Sequence, residues 1–155
     1  VDPEPDAFDV PVDTLDGMTT RITRINPEQL HATAGYHHIT VVESGRTAYL
    51  AGQCPLDRTG TLVGPGDLRA QIDQVVANAL TALAAVAATP EDVVRSVIYV
   101  VTAETSVLGD AWRQLTTSPL APAFTSASTL LGVAQLGYHR QLVEVDLTAV
   151  LSTGA

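Results

Sequence analysis

The chain has 155 residues, about one domain's worth, and 46% of them are hydrophobic, enough for a single buried core. Seventeen acids stand against eight bases, a formal charge of −9, and every base is an arginine. A chain without lysine has no amine for a Schiff base, a pyridoxal phosphate anchor or a phosphate-binding loop, and its acidity opposes the phosphate backbone, so no nucleic-acid partner is expected.

Residues 1–17 carry six acids and three prolines and read as an acidic N-terminal arm, with residues 18–155 as one domain. No basic residue precedes Arg21, the opposite of a secretory leader's charge. Residues 39–43 and 47–51 are β-prone runs separated by Ser44, Gly45 and Arg46, the composition of a hairpin. Gly52, Pro55 and residues 57–66 then form a loop. The single cysteine, Cys54, excludes an intrachain disulfide and a multi-Cys zinc cluster; it fits a buried thiol in a reducing compartment.

Asp67 is placed to cap a helix over residues 68–88, where Ile72, Val75, Val76, Ala79, Leu80, Leu83 and Val86 recur at helical spacing. Its apolar stretch, interrupted by Asn78 and Thr81, is too short to span a bilayer, so no membrane partner is expected, and a cytoplasmic location is the default expectation. Thr89-Pro90-Glu91-Asp92 is a helix-start signal. Residues 93–101 form the strongest strand, apolar on both alternating faces. Ser106 caps a second helix to about residue 115, with Leu108, Ala111, Trp112 and Leu115 on its core side. Strands over 128–133 and 142–150, joined by a turn at residues 137–140, complete an α+β layer with two helices on one face of a mixed sheet. Two helices cover one face only, so the other face of the central strand is expected to meet a second subunit.

Five segments in register resemble the Rid (reactive intermediate deaminase) or YjgF family. They are Gly35-Tyr36-His37-His38, residues 49–57 (Tyr49-Leu50-Ala51-Gly52-Gln53-Cys54-Pro55-Leu56-Asp57), Glu91-Asp92-Val93-Val94 leading into Ser96-Val97-Ile98-Tyr99-Val100, Gly132-Val133-Ala134-Gln135-Leu136, and Leu142-Val143-Glu144-Val145-Asp146. The resemblance covers about residues 25–151. It implies a chorismate-mutase-like fold, a homotrimer, and small-molecule sites in clefts between subunits. Deaminating members hydrolyse enamines and imines such as 2-aminoacrylate to keto acids and ammonia without metal or cofactor.

The resemblance also implies site residues. The family's water-orienting Glu matches Glu144, and its site tyrosine matches Tyr36; His37 stands where the family often has Ser. The carboxylate-gripping Arg of a Pro-Ala-Arg motif has no counterpart. That motif falls on Ser126-Ala127-Ser128 counted back from Val133, or on Pro122-Ala123-Phe124 if the prolines are matched, and no arginine lies between Arg113 and Arg140. Without that cationic fork, weak or absent activity on 2-imino acids is expected, with Ser128 and Thr129 as hydroxyl donors to a neutral or weakly acidic ligand.

From the residues themselves, Glu144 between two valines points to the face opposite theirs, and Asp146 shares its side. His37 and His38 are adjacent and point to opposite faces of an extended chain, so they form no metal pair, and no metal or cofactor is expected. The leading function is a small-molecule enzyme acting on an imine, enamine or related carbonyl compound by hydrolysis or tautomerisation. The alternative is a non-catalytic trimer that binds a small metabolite. A ribonuclease ranks third, disfavoured by the acidic, lysine-free composition.

Overall fold

The structure is a computed structural model that describes residues 21–152; the acidic arm at residues 1–17 lies outside them. The first element, β1 (Ile22–Ile25), pairs antiparallel with β2 (Ile39–Val42) in a two-stranded sheet. The next strand, β3 (Arg46–Tyr49), does not return on β2 as the hairpin reading expects; it pairs with the last strand of the chain instead. Gly45 shows why. Its φ of +125° is open to glycine, and a β-carbon there would stand 2.6 Å from a Val150 methyl, so the turn is pressed against the last strand rather than folded back.

Helix α1 (Leu68–Ala85) starts as expected, with the Asp67 carboxylate accepting from the Ala70 amide at 3.1 Å. It stops three residues before the expected end at residue 88. Ala87 turns left-handed, at φ 55°, and the Ala87 and Ala88 amides return to the Ala84 and Leu83 carbonyls, a helix stop usually signalled by glycine. The Thr89–Asp92 capping box is present but closes only a 3-10 turn, Pro90–Asp92, before strand β4 (Val93–Val101) begins. One oxygen of Asp92 holds the Thr89 amide and hydroxyl, and the other pairs with the Arg21 guanidinium, which fastens β1 to this turn.

Helix α2 (Thr105–Thr116) is capped by Glu104, without a side-chain hydrogen bond, and not by Ser106. The Thr102 hydroxyl accepts from the Glu104 amide and sets that turn earlier. Strands β5 (Ala127–Val133) and β6 (Val143–Leu151) follow. They are not neighbours across their connecting turn. The four-stranded sheet runs β3-β6-β4-β5, with β4 parallel to β5 and antiparallel to β6.

The helices cover one face of that sheet, where Ile98 and Val100 of β4 and Val143, Val145 and Leu147 of β6 are buried with Ile72, Val75 and Leu83 of α1 and Leu115 of α2. Val97, Tyr99 and Val101 alternate to the other face and are half-buried. Tyr49, 82% exposed, and Leu131, 42% exposed, share it.

Candidate functional site

Strand register determines what the open face carries. Glu144, Asp146 and Thr148 of β6 stand opposite Tyr99, Val97 and Arg95 of β4. Residues 50–53 run along the far side of β6: the Leu50 amide donates to the Leu147 carbonyl at 3.0 Å, and the Gln53 amide to the Val145 carbonyl at 2.8 Å. This brings the bare α-carbon of Gly52 beneath two carboxyls. A β-carbon on Gly52 would stand 1.9 Å from Glu144 Oε1 and 2.9 Å from Asp146 Oδ1.

Glu144 Oε2 accepts from Gln141 Nε2 at 3.0 Å and from the Cys54 thiol at 3.4 Å. Burial, and then the Glu144 charge, push the Cys54 thiol up to about 11, so it stays protonated and donates. Asp146 is raised above the ordinary carboxylate range by burial and by the Glu144 charge. Its Oδ2 accepts from the Tyr99 hydroxyl at 3.4 Å. Tyr99 is raised by burial and by the Asp146 charge. Asp146 and Cys54 line different cavities, of about 300 and 750 Å³.

The other residues expected at the site are divided between the two faces. Thr129 pairs with Val97 and lies on the same face as Glu144. Ser128 points to the helix side, its hydroxyl 2.6 Å from that of buried Ser96, and lines a cavity of about 340 Å³ with Tyr36, Trp112 and Leu130. Tyr36 bonds His31 Nε2 at 3.2 Å and meets the Trp112 ring edge-on. Trp112, expected in the core, is half-buried on that cavity wall, with its Nε1 donating to the Ala34 carbonyl at 3.1 Å. His37 is tied through Nδ1 to the Thr125 carbonyl. A single chain therefore brings Tyr36 and Ser128 together on one face and leaves Glu144 and Thr129 on the other, on strands that β4 separates.

Gln141, Tyr99 and Arg95 escaped the sequence reading, because each gains meaning only from its cross-strand or loop neighbour. Among the described residues no group of three or more His, Cys, Asp and Glu is placed to hold a metal ion. No helix of the described residues is long and apolar enough to cross a membrane.

Residues 26–151 match the family model described as endoribonuclease L-PSP. Among solved structures, YyfB of Yersinia pestis, a Rid-family protein of unknown function, is 35% identical over 84% of this chain and 99% of its own, with a TM-score of 0.76. Yeast Mmf1, at 19% identity, covers 84% of this chain and 99% of its own with a TM-score of 0.60. RidA of an Antarctic Psychrobacter, at 23% identity, covers 83% and 99% with a TM-score of 0.55. Those two likenesses are of fold, the YjgF-type α+β arrangement. No curated protein matches the chain. With a family model matched across residues 26–151 and a 35% identical Rid protein over 84% of its length, the chain belongs to the endoribonuclease L-PSP family, the Rid or YjgF proteins.

Proposed function

We propose that the chain works as a cytoplasmic homotrimer whose intersubunit pockets hydrolyse a small imine or enamine, or tautomerise a related carbonyl compound, with Glu144 as the group that positions water and moves its proton. The observation that carries this reading is the pair of carboxyls Glu144 and Asp146 on the face that the helices leave open, gathered over Gly52 and differing in their donors. Two neighbouring acids with different surroundings supply a proton acceptor and a proton donor at one place. In hydrolysis, water adds to the imine carbon and gives a proton towards Glu144, the nitrogen gains protons, and ammonia leaves as the carbonyl forms.

The trimer is supported by the half-buried Val97, Tyr99 and Val101 and the exposed Tyr49 and Leu131, an apolar row that a second copy would cover. A cleft formed between copies is also the simplest way to bring Tyr36 and Ser128 near Glu144. A lone free thiol suits the cytoplasm.

The test is keto acid release from enzymatically generated 2-aminoacrylate or 2-iminobutyrate. Wild-type turnover with a loss of about a hundredfold or more in Glu144→Gln supports the reading; unaltered turnover in Glu144→Gln overturns it. The cavity of Tyr36, Trp112 and Ser128, on the opposite face from Glu144, favours a second reading as a metabolite binder without chemistry. Absence of turnover with ligand shifts confined to Trp112 would select that reading.

A further inference from the structure

The last torsion of a glutamate side chain is broad and two-fold, so its two oxygens are equivalent until hydrogen-bond donors tell them apart. At Glu144 two donors reach the same oxygen: Gln141 Nε2 bonds Oε2 at 3.0 Å and the Cys54 thiol bonds it at 3.4 Å. Oε1 accepts no hydrogen bond from the described residues. It lies, with Asp146 Oδ1, against the place of the β-carbon that Gly52 lacks, which leaves the two oxygens near enough for one water molecule to touch both.

Gln141 is buried, and its whole amide is engaged. Its Oε1 accepts from the Tyr138 amide at 3.1 Å, and its Nε2 donates to the Val143 carbonyl at 3.1 Å as well as to Glu144. A flipped amide would set Oε1 against two acceptors, so this one has a single orientation. The backbone that carries it is held in turn. Arg140, the residue before, is left-handed at φ 65°, a conformation that disfavours side chains and persists only where its surroundings fix it. Fully buried Gln71 of α1 supplies that hold: its Nε2 donates to the Arg140 carbonyl at 3.0 Å, and its Oε1 accepts from the Leu142 amide at 2.7 Å. The Arg140 guanidinium donates to the Pro65 carbonyl at 3.0 Å. Helix α1 thus grips the backbone on both sides of Gln141.

We propose that Gln141 is a positioning residue for Glu144: it holds Oε2 on the turn so that Oε1 is the oxygen presented to water and substrate on the open face. Its part in turnover rests on the hydrolase reading, whereas the anchoring stands on the hydrogen bonds alone. A carboxylate without its anchor would spread over its terminal torsion, and only part of that spread would face the water. Because the Gln141 amide is buried and bonded within the protein, it adds nothing to substrate binding, and its loss falls on kcat rather than KM. Cys54, the second donor, reports on the arrangement: the Glu144 charge opposes its thiolate and the Gln141 amide favours it.

Gln141→Met keeps the length of the side chain and removes the amide donors. With enzymatically generated 2-iminobutyrate we expect its kcat to fall about tenfold or more and its KM to stay within about twofold of wild type. Iodoacetamide should react with Cys54 of this variant more slowly and only at higher pH, the opposite of Glu144→Gln; a turn that had merely come loose would expose the thiol, and faster reaction would count against the proposal. A third readout is the NMR signal of the Gln141 side-chain amide in the whole protein. A donor to a carboxylate makes a short, strong hydrogen bond and resonates downfield, so Glu144→Gln, which removes the charge, should move that signal upfield. An unmoved amide signal, or an unchanged kcat in Gln141→Met, overturns the proposal, and the amide signal decides even if Gln141→Met does not fold. Absence of turnover in wild type, with the amide signal moved by Glu144→Gln, would sink the hydrolase reading and leave the anchor standing; turnover lost in Glu144→Gln but kept in Gln141→Met would do the reverse.

Discussion

Gly52 and Glu144 occupy space that no other residue at position 52 would leave: a single methyl group there would stand 1.9 Å from Glu144 Oε1. Gly52 has an ordinary backbone conformation, so this glycine is needed for room and not for an unusual φ. Gly52→Ala should therefore displace the Glu144 side chain from Gln141 and Cys54 at a cost of only about 1 kcal/mol, because what gives way is the far end of a flexible side chain and the loss is that of its hydrogen bonds. It should lower turnover as much as Glu144→Gln does. Urea unfolding together with the keto acid assay checks both halves. A variant with wild-type stability and activity would mean that the carboxylate position is not fixed by this contact.

The thiol of Cys54 offers an independent probe of the same carboxylate. With its proton held up to about 11, it should alkylate at pH 8 about tenfold more slowly than an exposed cysteine, after allowing for the higher nucleophilicity of a more basic thiolate. Glu144→Gln removes the nearby charge that opposes the thiolate, so iodoacetamide should react faster with that variant, and its rate should rise at a lower pH. An unchanged rate profile would separate Cys54 from Glu144.

Much of this arrangement was legible from residue order, and the failures share a cause. The spacing from Ile72 to Leu83, the Asp67 cap and the run Val93–Val101 are local signals, and the structure has them where expected. Pairing partners are not local. Ser44-Gly45-Arg46 looks like a hairpin turn by composition, yet β3 pairs with a strand a hundred residues later. A β-bulge at Val94, between the pairs Val93–Ala149 and Arg95–Thr148, is likewise invisible in a run of valines, and with it the outward turn of Arg95. Glu144 and Asp146 were readable as a pair on one face by alternation; the groups that tune them, Gln141, Cys54 and Tyr99, come from a turn, a loop and a neighbouring strand.

The oligomer prediction concerns the open face. Light scattering should give three times the chain mass at micromolar concentration, and Val97→Glu, a charge in the middle of the apolar row, should shift the distribution to smaller species while leaving the helix-covered core untouched. A wild-type monomer that stays folded would overturn the trimer and the intersubunit site with it.

The core beneath the site gives a scale for these effects. Ile98, fully buried in the central strand between the helices and the open face, should cost about 2–5 kcal/mol on replacement by Ala. Denaturant midpoints measure it, and a loss below 1 kcal/mol would contradict the packing.

Asp146 links the site to stability through pH. Burial and the Glu144 charge raise it, while the Tyr99 hydroxyl and the Arg95 charge work the other way and do not cancel them. The native state therefore keeps a proton on Asp146 at pH values where the unfolded chain, near the ordinary 3.8, has released it. More protons bound in the native state means that stability falls as pH rises from the ordinary aspartate range through the raised native value, and stays lower above it. Asp146→Asn lacks the charge, so it should be more stable than wild type at pH 7, and the two should converge below pH 3.8, where Asp146 is neutral in both states. Because Glu144 supplies part of the shift, the gain from Asp146→Asn should shrink in a Glu144→Gln background, a coupling that a double-mutant cycle reads directly. Urea midpoints of the four proteins at pH 3.5 and 7 test this, and an Asp146→Asn chain less stable than wild type at pH 7 would show that the aspartate is held there as a favourable charge, paired with Arg95.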